Sequence, residues 1–434
     1  MKPVGAKKQT VFLTAVNGVV RVLGLVLRVI LSRFLGAEIL GIVELAQSVH
    51  MLAITPLTSG LPMAVSRMTA RAKVQDKQKP LLAGIALVRL ASVFLIPALL
   101  VLSPLIARIM GDVRVLPSLW FTAPCILILG YSAALNGYCY GMEQSHIPAL
   151  SELLEQVVRL AASLVMLYGL QKLTAPWLAA VPVAATMLAE IVGLVFVLLV
   201  LRIPFSSIRS ANSYQKPVLR LAAPTTFTRL IQTLLRSLTA IFIPLQLQAS
   251  GLSAAESTAR LGMLNGMVMP ILMLPCIFTS ALSMVAMPKL AKVEEDLPKL
   301  KHLLFQCFGA CLPVALACAG GVYFTAGLLA NKVFRTAEIA ELFRICAPLT
   351  ALFAIVHMSG GVIAALGQQK RSMIGALLIS SITLLLTYLL TANPHYRLNG
   401  VVLAQSFGQL AMLAWNLGIL ILWRRERLHA HKRW

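Results

Sequence analysis

Two arginines lie seven residues apart in an apolar run near the start of the chain, and the same spacing recurs in the middle of the sequence. The run VFLTAVNGVVRVLGLVLRVILSRFLG contains Arg21 and Arg28, and the run TTFTRLIQTLLRSLTAIFIP contains Arg229 and Arg236. Seven residues make nearly two turns of an α-helix, so each pair shares one helix face. A guanidinium stays charged and binds phosphate or carboxylate through two parallel hydrogen bonds. The spacing therefore predicts two basic helix faces suited to an anion.

Polar residues extend both faces at the same helical spacing. Asn17 and Gly24 complete the first stripe, and Thr225 and Gln232 complete the second. A single arginine near a helix end is explained by its side chain reaching the membrane surface. Four arginines at matched positions favour a polar cavity instead, because an intramembrane charge is costly. We therefore predict that the four arginines, with Asn17 and Gln232, bind the substrate.

The composition is that of an integral membrane protein. The chain has 434 residues, of which 59% are hydrophobic and 12% charged, and its mean hydropathy is +0.84. Soluble domains carry about 25% charged residues. The net charge of +23 would suit nucleic acid in a soluble protein, but here it indicates basic cytoplasmic loops. The seven cysteines form no C-x-x-C pair, so we expect packing roles, with no disulfide, metal or cofactor.

Apolar runs bounded by charged, glycine or proline residues predict an all-α polytopic fold with about 12 transmembrane helices. The first run is expected to be retained as a helix, because it is long, contains two arginines and lacks a cleavage site. No connection is long enough for a soluble catalytic domain. The predicted spans are 10–33, 39–66, 81–108, 116–140, 147–170, 177–201, 217–244, 261–288, 302–329, 339–366, 372–391 and 399–423.

Basic residues are concentrated in alternate connections, which predicts the orientation. The basic clusters lie at the N-terminus and C-terminus and in the connections 67–79, 202–220 and 289–301. Because basic loops stay in the cytoplasm, both termini are expected to be cytoplasmic.

Two ordered matches indicate an internal repeat. One offset places Arg21 on Arg229, Arg28 on Arg236 and Phe34 on Phe242, and a second aligns 58–72 with 279–293. The matches predict two six-helix lobes, 1–205 and 206–434, which run parallel because six is an even number. Repeats of this kind are typical of transporters, with the substrate in a central cavity between them.

Other charges inside the spans are candidate gate or ion-pair residues. Glu152, Glu155 and Arg159 share a face of the fifth predicted helix, and Glu155 precedes Arg159 in the favoured i,i+4 order. Glu44 lies alone in the second predicted helix. Self-neutralisation and participation in a gate both fit these residues.

Known catalytic and nucleotide-binding motifs are missing from the sequence. There is no P-loop, G-x-S-x-G or H-E-x-x-H pattern. We therefore expect a protein that is not an enzyme and carries no ATPase in the same chain.

Three stretches resemble the polysaccharide-transporter branch of the multidrug/oligosaccharidyl-lipid/polysaccharide exporter superfamily. They are FLGAEILGIVELAQSV with SGLPMAVSRMTARA, NGYCYGMEQSHIPALSELLEQVVRL, and ALGQQKRSMIGALLISSITLLLTYLL with LNGVVLAQSFGQL. The resemblance implies a two-lobed transporter that moves a lipid-linked sugar. Related lipid II flippases hold pyrophosphate with arginines of the first helix, which implies that role for Arg21 and Arg28. Close relatives commonly have fourteen helices, two more than predicted here.

The sequence and the resemblance together suggest a flippase for an undecaprenyl-pyrophosphate-linked glycan that works by alternating access. Its partners would be that substrate, membrane lipid and cell-wall synthesis enzymes, with no nucleic acid. A cation-coupled multidrug exporter would need acids in the first helix, which has none. A non-transporting scaffold of an envelope-synthesis complex would not need matched polar stripes.

Overall fold

A computed structural model describes residues 6–170, 172–202, 212–293 and 296–431, and within these ranges every element longer than a turn is helical. The helices are α1 Ala6–Thr58, α2 Leu61–Arg71, α3 Lys79–Ile109, α4 Leu116–Gly141, α5 His146–Gly169, α6 Ala175–Leu201, α7 Asn212–Ala249, α8 Ala254–Leu261, α9 Met269–Leu272, α10 Pro275–Lys292, α11 Leu297–Leu328, α12 Ile339–Ala365, α13 Gln369–Ala392 and α14 Arg397–His431. Two π-helical segments, Gly262–Val268 and Leu329–Phe334, follow α8 and α11.

Long apolar helices confirm a multi-pass membrane protein. Among the described residues, nine helices are long and apolar enough to cross a membrane, or ten with the bent pair Ala254–Leu272 and Pro275–Lys292. One of the nine, Phe12–Arg71, contains the first two predicted spans. Helix α5 is not among the nine, and it carries the charged face predicted from Glu152, Glu155 and Arg159. The count of twelve therefore stays a prediction.

Two glycine positions break the first long helical region. Gly36 has φ of 71°, a left-handed conformation that glycine adopts without steric cost, and divides the 53 residues of α1 into segments 6–35 and 37–58. A second break at 59–60 separates α1 from α2, so the predicted helix 39–66 is interrupted. At Gly60, an added Cβ would lie 2.2 Å from the carbonyl oxygen of Ala222. Only glycine lets α7 approach this closely.

The predicted helix 261–288 is also interrupted. Helix α8 starts before it at Ala254, a π-helical segment follows, and α9 and α10 meet at a bend of 43°. Pro270 and Pro275 explain the interruption, because proline donates no backbone hydrogen bond and favours the first turn of a new helix.

The described helices group into two compact units. The first unit comprises Met1–Ile241 with Ala254–Gly262, and the second comprises Phe242–Ser253 with Met263–Trp434. The predicted boundary at 205–206 lies outside the described residues, and the two predicted lobes stay a prediction. In the first unit, α7 is joined to α1 by a hydrogen bond from the Ser237 hydroxyl to the carbonyl oxygen of Ser48, at 2.7 Å.

The hairpins α4–α5 and α12–α13 turn in the same way, one in each unit. Glu143 and Gly367 both adopt positive φ, 61° and 71°. The next residue donates its backbone N–H to a carbonyl five residues earlier, Gln144 to Cys139 at 2.8 Å and Gln368 to Ile363 at 3.0 Å. This arrangement closes the last turn of each helix.

An aromatic pair adds a second likeness between the units. Phe34 packs edge-to-face on Tyr168 with ring centres 5.1 Å apart, and Phe242 packs edge-to-face on Tyr388 at 5.4 Å. The two phenylalanines are those that the sequence repeat aligns. The repeated contact supports the internal repeat independently of the arginines.

Candidate functional site

The first polar stripe lies on segment 6–35 of α1, and its arginines have different surroundings. Arg21 is exposed and has no ion-pair partner among the described residues. Arg28 forms an ion pair of 2.5 Å with Glu44, which lies beyond the break at Gly36. The break therefore turns the chain so that a carboxylate from the next segment neutralises one arginine of the stripe.

Gly24 brings α5 against this stripe. An added Cβ at Gly24 would lie only 3.2 Å from the side-chain nitrogen of Gln156. Gln156 accepts a hydrogen bond of 3.0 Å from Arg159, and Arg159 also forms a 3.2 Å ion pair with Glu190 of α6. A chain of polar side chains that joins α5 to α6 thus begins beside the first stripe.

The pair suggested by the i,i+4 spacing of Glu155 and Arg159 is not among the ion pairs of the described residues. Glu155 instead accepts a 2.8 Å hydrogen bond from Ser151, which also lies 3.2 Å from the carbonyl oxygen of Gly193. An added Cβ at Gly193 would meet the Glu155 carboxylate, so this carboxyl group occupies the space beside α6. Tertiary packing with α6 therefore separates two residues that helix geometry alone would pair.

Helix α7 carries the second stripe next to the face that contacts α1. Thr233 accepts a hydrogen bond from Thr55 at 3.3 Å, and Ser237 is buried against Ser48. Arg229 and Arg236 are both exposed, and neither has an ion pair within the described part of the chain. The contacts on α7 therefore leave both guanidiniums available to a ligand.

The predicted site residues form separate groups. Asn17 and Gln232 are half-buried, and Glu152 is exposed. In residues 6–170, 172–202, 212–293 and 296–431, no hydrogen bond or ion pair joins one arginine stripe to the other. A shared cavity lined by both stripes stays a prediction.

The sequence interpretation missed a tight contact between α1 and α8. An added Cβ at Gly41 would lie 1.9 Å from the carbonyl oxygen of Thr258, and one at Gly262 would lie 2.0 Å from that of Ala37. We call these four residues the glycine contact. Small residues four apart, as at Ala37 and Gly41, allow such close packing and could have indicated it.

Ion pairs also lie next to the glycine contact in the first unit. Arg114 pairs with Asp112 at 2.8 Å and with Glu38 at 2.5 Å, and Thr258 lies 3.5 Å from Asp112. Glu38 follows the break in α1, so these bonds hold the α3–α4 connection on both α1 and α8. The sequence signal was weak, because the spacing of Asp112 and Arg114 in one short connection does not relate them to Glu38 or Thr258.

Among the described residues, no group of three His, Cys, Asp or Glu side chains is placed to hold a metal ion. What the geometry offers is cationic hydrogen-bond donors beside helices that are broken by glycine and proline. Such a surface can bind an anion and change shape around it.

Known proteins share sequence and fold with this chain. The chain is 27% identical over 427 residues to Stage V sporulation protein B of Bacillus subtilis (strain 168), covering 92% of this chain and 80% of that protein. The solved structure of the lipid II flippase MurJ in an inward closed conformation matches with a TM-score of 0.73 at 14% identity, over 96% of this chain and 93% of that one. An inward-facing multidrug resistance MATE family transporter of the MOP superfamily matches with a TM-score of 0.71 at 16% identity, over 93% and 95% of the two chains.

The two solved structures confirm the expected all-helical fold. The sequence profile of a family described as Polysaccharide biosynthesis protein matches residues 6–294, which is more than half of the chain. The chain therefore belongs to the polysaccharide biosynthesis protein family.

Proposed function

We propose that this protein moves an undecaprenyl-pyrophosphate-linked glycan across the bacterial cytoplasmic membrane by alternating access. Both termini lie in the cytoplasm, and the pyrophosphate enters from that side. The family match and the relatives named above support transport of a lipid-linked sugar. The residues that we propose to hold the pyrophosphate are the four arginines, with Asn17 and Gln232 beside them.

The observation that carries this proposal is the presence of unpaired guanidiniums within candidate spans. Arg21 lies in the span Phe12–Arg71, and Arg229 and Arg236 lie in the span Asn212–Ala249. None of the three has an ion-pair partner among the described residues. Since an uncompensated charge inside a membrane is costly, an anionic ligand would supply the missing neutralisation. Pyrophosphate suits this role because it accepts paired hydrogen bonds from guanidinium.

The membrane potential supplies a driving force for this substrate. An inside-negative potential favours outward movement of an anion by roughly 2.3 kcal/mol per charge per 100 mV. The glycan and pyrophosphate occupy the polar cavity while the prenyl tail stays in lipid. Opening of the glycine contact at Gly41 and Gly262 then accompanies release on the opposite side.

A cation-coupled multidrug exporter is the second candidate, and it is favoured by the likeness to MATE transporters. Such an exporter needs free carboxylates to bind cations. In the first unit Glu44 is paired with Arg28 and Glu190 with Arg159. Because these acids are already neutralised, the geometry favours an anionic substrate. A membrane scaffold in a cell-wall synthesis complex is the third candidate, and it requires no ligand at either stripe.

Binding of an undecaprenyl-pyrophosphate glycan to purified protein tests the proposal. Arg21→Gln and Arg229→Gln each remove one charge-assisted interaction, worth about 1.5–3 kcal/mol, so each should weaken binding by at least tenfold. Arg108→Gln is the matched control, because Arg108 is an exposed arginine of α3 outside both stripes and its loss should leave affinity unchanged.

Three further results would decide against the proposal. Unchanged affinity in Arg21→Gln and Arg229→Gln, in protein that elutes as a folded species, would remove the arginines from the site. Tighter binding of a cationic drug than of the glycan would favour the exporter. A scaffold would show no substrate-dependent change in labelling of cysteines placed at Ala15 and Ala223.

A further inference from the structure

A basic groove lies between the last turn of α10 and the first three turns of α11, in the second unit. Two adjoining open cavities of about 590 Å³ and about 530 Å³ share Pro298 and His302 in their linings. Lys289 and Lys292 line one cavity and Lys301 lines the other. These cavities belong to neither arginine stripe, and the proposed transport does not use them.

The charges in this groove are only partly compensated. Lys299 pairs with Asp296 at 2.7 Å. Lys289, Lys292 and Lys301 are exposed and have no ion-pair partner among the described residues. The sequence also contains Glu294 and Glu295, which lie outside the described residues. Lys289 and Lys292 therefore face one cavity and Lys301 faces the adjoining one, and among the described residues none of the three is neutralised by a carboxylate.

The floor of the groove is apolar and packs on the interior of the second unit. Val293, Leu303, Leu304 and Phe308 pack on the buried cluster that contains Leu290 and other residues of α10, α11 and α12. A headgroup seated on the lysines would therefore rest on a formed surface.

An exposed apolar stripe continues from the lysines along α11. Phe305 is 77% exposed, Leu312 46% and Leu316 56%, and all three lie on the candidate span Pro298–Phe334. From Lys301 to Leu312 the helix rises about 16 Å, close to half of the roughly 30 Å hydrocarbon core. The stripe thus has the length of an acyl chain in one leaflet.

We propose that this groove is a binding site for an anionic glycerophospholipid, with its phosphate on Lys292 and Lys301 and its acyl chains along Phe305 and Leu312. A cationic rim above an exposed apolar stripe matches both ends of such a lipid. Juxtamembrane lysines attract anionic headgroups in this way. The occupant is a resident membrane lipid and differs from the transported substrate.

Native mass spectrometry of the detergent-purified chain tests this site. Phosphatidylglycerol should bind at least fivefold more tightly than phosphatidylcholine with the same acyl chains. Lys292→Gln combined with Lys301→Gln should weaken phosphatidylglycerol binding by about 30-fold, from about 1 kcal/mol per lysine near the membrane surface. Lys73→Gln combined with Lys172→Gln removes two exposed lysines of the first unit and should leave binding unchanged.

Three outcomes would overturn the site: equal binding of the two lipids, no loss in the Lys292 and Lys301 variant, or tighter binding of undecaprenyl phosphate than of phosphatidylglycerol at these lysines. Glycerol phosphate without acyl chains should bind at least tenfold more weakly, and equal binding would also contradict the role of the α11 stripe. Arg21→Gln should keep the preference for phosphatidylglycerol, so failure of this site and failure of the transport proposal are separate results.

Discussion

The glycine contact predicts a large effect from adding a single methyl group at Gly41. In Gly41→Ala the new Cβ would lie 1.9 Å from the carbonyl oxygen of Thr258, whereas ordinary contact begins at 3.4 Å. The nearest atom belongs to the backbone, so α1 and α8 must separate by about 1.5 Å rather than rotate a side chain away. Overpacking of this kind costs about 1–3 kcal/mol. We expect Gly41→Ala to destabilise the protein by that amount.

Gly309→Ala is the matched control for this substitution. Gly309 lies in α11, and an added Cβ there meets no atom within 4 Å. Alanine is the better helix former by about 0.8–1 kcal/mol, so the control should be neutral or stabilising. Thermal unfolding of both variants in the same detergent measures the difference, which should be about 2–4 kcal/mol.

Labelling of a cysteine placed at Ala37 separates opening of the contact from general loss of stability. If the contact opens locally, the introduced cysteine should be labelled faster in the Gly41→Ala variant than in the parent protein, at a temperature where both remain folded. The native cysteines Cys276 and Cys318 are partly exposed and should first be replaced by alanine. Equal unfolding temperatures for Gly41→Ala and Gly309→Ala would refute the argument, because the same methyl group would then be tolerated at both positions.

Three other substitutions test the packing inside each unit, with thermal unfolding as the measurement. Glu190→Gln should lower the free energy of unfolding by about 2 kcal/mol, because it leaves the partly buried Arg159 without its carboxylate. Adding Arg159→Gln should restore part of this stability, and no restoration would mean that the ion pair contributes nothing to stability. Asn416→Leu should cost about 1 kcal/mol through loss of its buried 2.9 Å hydrogen bond to Ser359, and an unchanged unfolding temperature would contradict this. Gly60→Ala should cost about 1–3 kcal/mol by forcing α7 away from the break before α2, and a stabilised variant would show that this approach is not tight.

Residue spacing was sufficient to predict the features that depend on one helix. The apolar runs predicted a multi-pass helical protein, and the repeated Phe34 and Phe242 reappear in equivalent aromatic contacts. Helical periodicity gives such information directly, because residues on one face of a helix are fixed relative to each other. The predicted helix 261–288 instead begins at Ala254 and is interrupted near Pro270 and Pro275.

Contacts between helices could not be read from the same spacing. The i,i+4 rule suggested Glu155 for Arg159, but the structure pairs Arg159 with Glu190, because α6 places that carboxylate within reach. The partner of Arg28 depends on the backbone turn at Gly36. A glycine within an apolar run has several meanings, and only the packed structure distinguishes a turn from a close helix contact.

In each unit, a large side chain of one helix packs against a glycine of the neighbouring helix, but the two side chains differ chemically. In the first unit, Glu155 of α5 fills the space beside Gly193 of α6, whereas in the second unit Trp415 of α14 fills the space beside Gly375 of α13. The glycine lies on the second helix of the pair in the first unit and on the first helix of the pair in the second unit. The close approach of the two helices is kept, but the large side chain is a carboxylate in one unit and an indole in the other. Because a carboxyl group titrates and an indole does not, substitutions at the α5–α6 pair should alter the pH dependence of the proposed transport, whereas those at the α13–α14 pair should alter stability alone. Parallel pH profiles for transport by Glu155→Gln and the parent protein would contradict this division.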